Sequence, residues 1–467
     1  MEYEAVVGLE IHCRIKSKTK LFCRCSNDIF NAEPNKHVCP VCMGFPGMLP
    51  LINEEAVRKG MKGALALGCE IPEFSKMDRK SYFYPDLPMG YQISQYDLPV
   101  SQKGKVTIRL EDGSSKDIGV TRLHLENDAG KLTHVSGGSL VDYNRAGTPL
   151  VEIVSEPDMR TREEVSQYAR QVQKIMRAVD CSDADMEKGQ MRFDLNLSIR
   201  PKGQTEFGTR SETKNLNSFR SLEKAFDFEF RRQVELLESG GKVVQETRGW
   251  DDNKEVTVSQ RSKEEAADYR YFPEPDIPPL VVTREMVEQL KSELPKLPEE
   301  KAADYREMGL SEMDAKNIAG DSELSDWFDK AVAVSGAPKK TSNWLLSEIK
   351  PLMASEEFAL TPENLGKLVK MIEEGSITGK IAKDHLEKVV TENPNPEAYF
   401  EPYKVMEDTG ELETICREVI GRNEKVVADF RGGNEKAIGA LVGQVMGATK
   451  GTANPKSVNE ILRGLLS

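Results

Sequence analysis

Val7-Gly-Leu-Glu-Ile-His-Cys13 alternates apolar residues (Val7, Leu9, Ile11) with Gly8, Glu10 and His12. A period of two predicts a strand with one face turned inward. The other face carries a carboxylate and an imidazole two residues apart. Three later stretches repeat the arrangement. Leu123-His-Leu-Glu126 puts His124 and Glu126 on one face, and Leu150-Val-Glu-Ile153 sets Glu152 between β-branched residues. Phe193-Asp-Leu-Asn-Leu-Ser-Ile199 puts Asp194, Asn196 and Ser198 on one side. Four ordinary amphipathic strands with a wet face give the same pattern. Wet faces, however, usually mix Lys, Thr, Ser and Glu, whereas short Glu/His/Asp/Asn sets are what a divalent cation and a nucleotide need. The sequence therefore predicts a shared polar active-site floor.

Outward from these strands, residues 1–285 read as strands with a few helices, and the pattern turns helical from Thr283. This is an α+β chain, with a largely antiparallel sheet domain ahead of helices. At 467 residues it should hold two to four domains around a large core. Charged residues are 30% and mean hydropathy is -0.51, so a soluble protein is expected. There is no apolar run near the roughly 20 residues of a membrane span, and no signal peptide is expected after Met1. The eight cysteines fit a reducing cytoplasm. A net charge of -13 argues against nucleic-acid binding by the whole surface, though not against a local basic site.

Cys23-Arg-Cys25 and Cys39-Pro-Val-Cys42 are two close pairs separated by a polar loop. That spacing suits a tetrahedral thiolate site, with zinc as the expected metal; four reduced, partly buried thiols are the plain alternative. Cys13, Cys69, Cys181 and Cys416 lack such spacing and read as packing residues.

Asn53 to Gly68 reads as a capped helix, and Thr161 to Cys181 as an amphipathic helix opened by a Thr161/Glu164 capping box. Between them, Lys76 to Tyr91 is a Pro/Gly-rich loop that interleaves Lys76, Arg79 and Lys80 with Tyr82, Phe83 and Tyr84. Aromatic faces with cations suit an unpaired nucleotide; a self-packed surface loop has the same composition. Gly208 to Ser218 is dense in hydrogen-bonding groups and reads either as a phosphate site or as a polar loop. Asn393-Pro-Asn-Pro396 reads as a linker into short C-terminal helices, with Asn434 capping one of them. No GxxxxGK[ST], no GxGxxG after a strand and no kinase HRD or DFG set occurs, so any use of ATP must rest on the carboxylate platform.

Six stretches together resemble the B-subunit family of the tRNA-dependent amidotransferases. They are Val7–His12, Lys80–Asp86, Leu123–Lys131, Asp142–Pro157, Arg210–Ser218 and Leu441–Met446. The likeness runs the full length; one departure is Phe193, where many relatives carry Cys.

The resemblance implies a cradle-shaped domain over 1–285, a helical domain over 286–395 and a helical tRNA-binding tail over 396–467. It implies a heterotrimer with an amidase (glutaminase) partner, which releases ammonia from glutamine, and a small third subunit. This chain would use ATP and Mg²⁺ to phosphorylate misacylated Glu-tRNA(Gln), Asp-tRNA(Asn) or both, before ammonia displaces the phosphate. On that reading Glu10, Glu126 and Glu152 hold Mg²⁺, with His12 as ligand or hydrogen-bond donor. Tyr82 stacks on the terminal adenine, with Lys80 and Ser81 beside it. Asp194, Asn196, Arg210 and Lys214 are further candidates for the nucleotide and the tRNA end. A non-catalytic tRNA-binding scaffold is the competing reading.

Overall fold

The computed structural model describes residues 2–262, 268–405, 409–449 and 451–466. The chain folds as two compact units, Met1–Leu297 and Pro298–Ser467.

The first unit follows the order β1 (Tyr3–Arg14), α1 (Glu54–Ala66), β2 (Phe74–Ser75), β3 (Asp78–Ser81), β4 (Tyr91–Ser94), β5 (Ser101–Arg109), β6 (Ser115–Asn127), β7 (Lys131–Val135), β8 (Gly138–Asp142) and β9 (Pro149–Ser155). Then come α2 (Arg162–Ala178), β10 (Met191–Pro201), β11 (Ser211–Leu216), α3 (Phe219–Glu238), β12 (Glu246–Asp251), β13 (Val256–Ser262), β14 (Phe272–Pro273), β15 (Leu280–Val281) and α4 (Arg284–Ser292). Eight strands form one sheet in the order β13-β12-β11-β10-β1-β9-β6-β5. Every pairing in it is antiparallel except β11 with β12. The opening strand thus lies in the middle of the sheet, between β10 and β9.

The two faces of β1 have separate fates. Val7, Leu9, Ile11 and Cys13 are buried in a core shared with α1, α2 and α3, where Met61, Tyr168, Val172 and Phe226 meet them. Gly60 of α1 shows how closely helix and sheet approach: a Cβ there would lie 2.7 Å from Leu125 Cδ2. Burying these side chains is the main favourable term, at about 1.5–3 kcal/mol for each large one. The helices occupy this apolar face, and Glu10 and His12 look out from the other.

The caps read from sequence form. Asn53 accepts from the Ala56 amide at the start of α1, and Thr161 from the Glu164 amide at the start of α2. The return arm of the second cap differs from a capping box: Glu164 Oε2 takes the Arg160 amide at 2.6 Å, one residue before the cap. Helix α4 belongs to the first unit, because Glu293 just past its end pairs with Arg58 (3.0 Å) and Lys62 (2.6 Å) of α1.

The second unit is helical and contains two apolar clusters. One gathers Phe328, Leu345, Leu365 and Val369, and it includes Phe400, beyond the Asn393–Pro396 stretch. The other gathers Leu412, Cys416, Leu441, Val458 and Leu462. Asn434 makes no side-chain cap; a short 3-10 turn intervenes before the helix Ile438–Ala448. Among the described residues no helix is long and apolar enough to cross a membrane.

Candidate active site

Register builds the site. His12 lies opposite Glu152 on β9 and opposite Arg192 on β10, and Glu152 lies opposite His124 on β6. Residues directly opposite in an antiparallel pair share a face, so His124, Glu152, His12 and Arg192 form one row across four strands. Glu126, two residues on from His124, reaches the same spot from the next step of β6.

Two acidic clusters result. In the first, His12 Nε2 is 3.3 Å from Glu152 Oε2 and 3.9 Å from Glu126 Oε1. His124 Nε2 is 3.5 Å from Glu152 and 3.8 Å from Glu126. One donor atom each from His12, Glu126 and Glu152 lies within 4.8 Å of the others, a spacing that one divalent cation can bridge. The buried His12 Nδ1 has no hydrogen-bond partner. In the second cluster, Glu10 stands with Asp194 and Glu212. Register again explains it: Glu10 faces Asp194, and Asn196 faces Glu212. Asn196 donates to Glu10 Oε1 at 2.9 Å, and Lys214 Nζ sits 3.2 Å from Asp194 and 3.1 Å from Glu212. The four expected Mg²⁺ ligands are therefore divided, with Glu10 in one cluster and the other three in its neighbour.

The electrostatics follow from burial and crowding. Burial, with Glu152, Asp194 and Glu212 close by, raises Glu10 above the usual carboxylate range. Burial opposes a charged His124, but Glu152 and Glu126 outweigh it and push the group up to about 9. Burial would raise Glu152, yet His124 and His12 hold it well below its usual value. Lys80 is kept charged against burial by Glu126, Tyr271 and Glu152.

Above the clusters lie two open depressions of about 420 and 450 Å³ that share His12, Lys80, Lys214 and Tyr269 as lining. Lys80 projects into both, with its Nζ 5.0 Å from the Tyr269 ring centre. Tyr82 lines the first and meets Tyr269 edge to face at 6.0 Å. Two sequence candidates lie elsewhere. Ser81 is on the opposite face of β3 from Lys80, by strand alternation, and lines neither depression. Arg210 is exposed just before β11 and also lines neither.

Arg192, Glu212 and Tyr269 line the site without being marked by the sequence patterns above. Arg192 directly precedes the Phe193–Ile199 stretch, and Glu212 lies inside the polar run 208–218. Tyr269 opens a Tyr-Arg-Tyr-Phe string with the same aromatic and basic interleaving as the loop at 76–91.

The cysteine cluster is a separate centre. One Sγ each from Cys23, Cys25, Cys39 and Cys42 lies within 4.8 Å of the others, which is compatible with a structural zinc site. A second observation fits four thiolates. Lys20 is fully buried, donates to Ala146 O at 2.7 Å, lies 3.7 Å from Cys42 Sγ, and has no carboxylate partner among the described residues. A buried ammonium needs a compensating anion, and a zinc-tetrathiolate centre carries net negative charge. The Cys39 amide also donates to Cys42 Sγ at 3.2 Å.

Comparison with known proteins places this site in a family. Residues 5–288 match the family model described as the GatB/GatE catalytic domain, and residues 326–466 match the one described as the GatB domain. The B subunit of the aspartyl/glutamyl-tRNA(Asn/Gln) amidotransferase of Carboxydothermus hydrogenoformans is 48% identical over 479 residues, covering 100% of this chain and 99% of that protein. The protein of the same name from Thermoanaerobacter pseudethanolicus is 49% identical over 476 residues, covering 100% of both chains. The one from Gloeothece citriformis is 45% identical over 481 residues, covering 99% of this chain and 97% of its own. With the catalytic-domain model spanning both acidic clusters and the cysteine centre, the chain belongs to the GatB/GatE family.

Proposed function

We propose that this chain phosphorylates the side-chain carboxylate of misacylated Glu-tRNA(Gln), Asp-tRNA(Asn) or both with ATP, and amidates it with ammonia supplied by a partner amidase. The observation that carries this reading is the pair of acidic clusters on one open sheet face, with Lys80, Arg192 and Lys214 facing the same depression. Full-length likeness to proteins named as the B subunits of amidotransferases supports it.

A carboxylate is a poor acyl donor because its leaving group is oxide. Attack of a carboxylate oxygen on the γ-phosphorus of ATP forms a new P–O bond and releases ADP. Ammonia then attacks the carbonyl carbon, the bond to the phosphate oxygen breaks, and inorganic phosphate leaves with a proton lost from nitrogen. Phosphoryl transfer is chiefly a problem of positioning and charge. His12, Glu126 and Glu152 fit a divalent cation, with Glu10, Asp194 and Glu212 as a second acidic wall. A bound Mg²⁺ would neutralise charge on the phosphate oxygens. Lys80 and Lys214 meet the remaining phosphate charge, Asn196 orients Glu10, and Tyr82 offers its ring to the terminal adenine.

The zinc site is structural on this reading, because four thiolates leave no open position. The partners are the tRNA, an amidase and a small third polypeptide. The C-terminal stretch 431–467 meets tRNA phosphates through a local basic excess in its sequence: Arg431, Lys436, Lys450, Lys456 and Arg463 against Glu435 and Glu460. The deciding experiment gives the assembled complex γ-labelled ATP and misacylated tRNA of each kind without any source of ammonia, and follows amidation in a parallel reaction with ammonium replacing glutamine. Label arriving on the aminoacyl end, dependent on Mg²⁺, is the expected result. Amidation without label transfer would leave this chain as a scaffold.

A further inference from the structure

Strand alternation puts one more charged residue on the active face of β1. Beyond Glu10 and His12 comes Arg14, which lies at the wall of a separate cavity of about 450 Å³. Arg14 is 8% exposed, and its side chain makes no hydrogen bond or ion pair among the described residues. Asp128, Asp183 and Asp28 act on it only through space. A guanidinium cannot shed its proton at physiological pH, and its five N–H donors are costly to bury without acceptors. This one is aimed into a cavity that also receives Lys131, Arg145 and Lys188. Asp142 and Glu187 are the acids of the lining, and Asp142 Oδ1 is already taken by the amides of Asn35 and Asn144. The lining thus holds four cations against two acids, with Lys188 also 3.5 Å from Asp185, and its net charge is positive.

It also has an aromatic wall. Phe30 is 45% exposed, with Lys188 Nζ 5.7 Å from its ring centre. An exposed ring among cations is the arrangement on which a single-stranded base stacks while its phosphate is neutralised. The wall is fixed in place. The loop from Phe30 to His37 runs between the two cysteine pairs and is laced to the β8–β9 turn. Asn144 Nδ2 donates to Glu33 O at 2.8 Å, and the His37 amide donates to Asn144 Oδ1 at 2.8 Å. The cavity adjoins the active site through one carboxylate: Asp128 lies 3.5 Å from Arg145 on the cavity side and 3.5 Å from Arg192 on the other.

We propose that this cavity seats one nucleotide of the single-stranded 3′ end of the substrate RNA, upstream of its terminal adenosine. Its phosphodiester sits on Arg14 and Arg145, and its base lies on Phe30. The inference rests on the reading of the chain as a tRNA-directed enzyme and adds a subsite to it.

The test uses the full-length chain and two labelled RNA hairpins, one ending in an unpaired CCA tail and one blunt, with ATP binding measured alongside. The wild type should prefer the tailed hairpin. Phe30→Ala should cut that preference by about 5–10-fold, the scale of one lost base-aromatic stack. Arg14→Gln should cut it at least as far and lower the salt slope of tailed-hairpin binding by about one. ATP affinity should stay unchanged in both. Arg14 is buried, so if Arg14→Gln does not fold, the rim variant Phe30→Ala decides alone. Equal binding of both hairpins by the wild type overturns the proposal, as does a full tail preference in Phe30→Ala. Loss of ATP affinity with tail preference intact assigns the cavity to the phosphates of a free nucleotide and overturns it too. Transfer of γ-phosphate to misacylated tRNA by the assembled wild-type complex, measured in parallel, judges the enzymatic reading separately: its absence sinks that reading, while the hairpin comparison still judges the cavity.

Discussion

His12 and Glu152 stand directly opposite each other on β1 and β9, with Nε2 3.3 Å from Oε2. They are 140 positions apart in the chain, and neither strand alone makes a cation site. The pairing of β1 with β9, and of β9 with β6, turns three separate Glu/His stretches into one donor set. The site is thus only as sound as the sheet register beneath it.

The cysteine centre should hold one zinc per chain in protein purified without chelator, measured by elemental analysis. Cys42→Ser should lose that zinc. Because the loop between the cysteine pairs is laced to Asn144, its amides should then exchange with solvent faster by at least about tenfold. Wild-type protein without zinc, or a Cys42→Ser variant that keeps it, would rule out a zinc tetrathiolate at these four cysteines.

Glu229 of α3 is a buried carboxylate tying helix to sheet edge. Ser211 donates to it at 2.8 Å, Arg232 at 2.7 Å, Arg248 pairs at 3.1 Å, and Thr257 also donates. Burial acts to raise its pKa, but the bonds from Arg232, Thr257 and Ser211 outweigh it and lower it below 4.5. A depressed folded pKa means stability that is present above the unfolded value and lost as pH falls through the folded one. Glu229→Gln should therefore cost about 2–3 kcal/mol at pH 7, the scale of charged hydrogen bonds, and the gap to wild type should narrow below roughly pH 4. Urea unfolding at the two pH values checks it. A gap that stays constant with pH would mean that Glu229 acts through shape rather than charge.

How much of this was legible in the sequence follows the range of the interactions. Local features were readable: the alternation of β1, the caps at Asn53 and Thr161, and the paired cysteines all depend on neighbours within a few residues. Convergence was not. That Glu10 would join Asp194 and Glu212 while Glu126 and Glu152 joined His12 depends on strand order and register, which are long-range properties. Ser81 illustrates the period-two rule at its least forgiving, since one step from Lys80 puts it on the wrong face. Arg192 and Tyr269 carried no local signal strong enough to separate them from ordinary strand and loop residues; Arg192 reaches the site through the register of β10 against β1, and Tyr269 from the segment ahead of β14.

The C-terminal tail is testable by truncation, and the structure moves the cut. A chain ending near Asn395 would lose Phe400, which is fully buried in the preceding helical cluster. The Val405 amide also bonds back to Ser376 O at 2.7 Å. A chain ending at Val405 keeps that packing and removes the second apolar cluster, together with the close approach of Gly451 to Ile381 of the first. It should bind tRNA at least about tenfold more weakly near 0.1 M salt, with a salt slope reduced by about two, as expected for losing two or three phosphate contacts. Equal affinity across a salt series would show that the tail does not grip RNA.

Glu126 offers the sharpest separation of the phosphorylating reading from the scaffold. It is 1% exposed, accepts from Ser94 Oγ at 3.2 Å, and lies between His12 and His124. Gln has nearly the same volume, so Glu126→Gln keeps the packing and the acceptor for Ser94 while removing one negative oxygen from the cation set. Phosphoryl transfer to the aminoacyl end should fall by roughly 10²–10³-fold, the scale on which preorganised electrostatic groups act. tRNA affinity should hold, because it comes largely from phosphate contacts elsewhere. Ammonium in solution should not restore amidation, since the missing step precedes ammonia attack; a blocked ammonia path would be bypassed by it. Because Glu126 is buried against two histidines rather than solvated, the melting temperature belongs in the same experiment, and a folded variant is required for the kinetic result to count. A folded Glu126→Gln complex that labels the tRNA at the wild-type rate would take Glu126 out of the reaction, and with it the claim that the row from His124 to Arg192 is a catalytic floor.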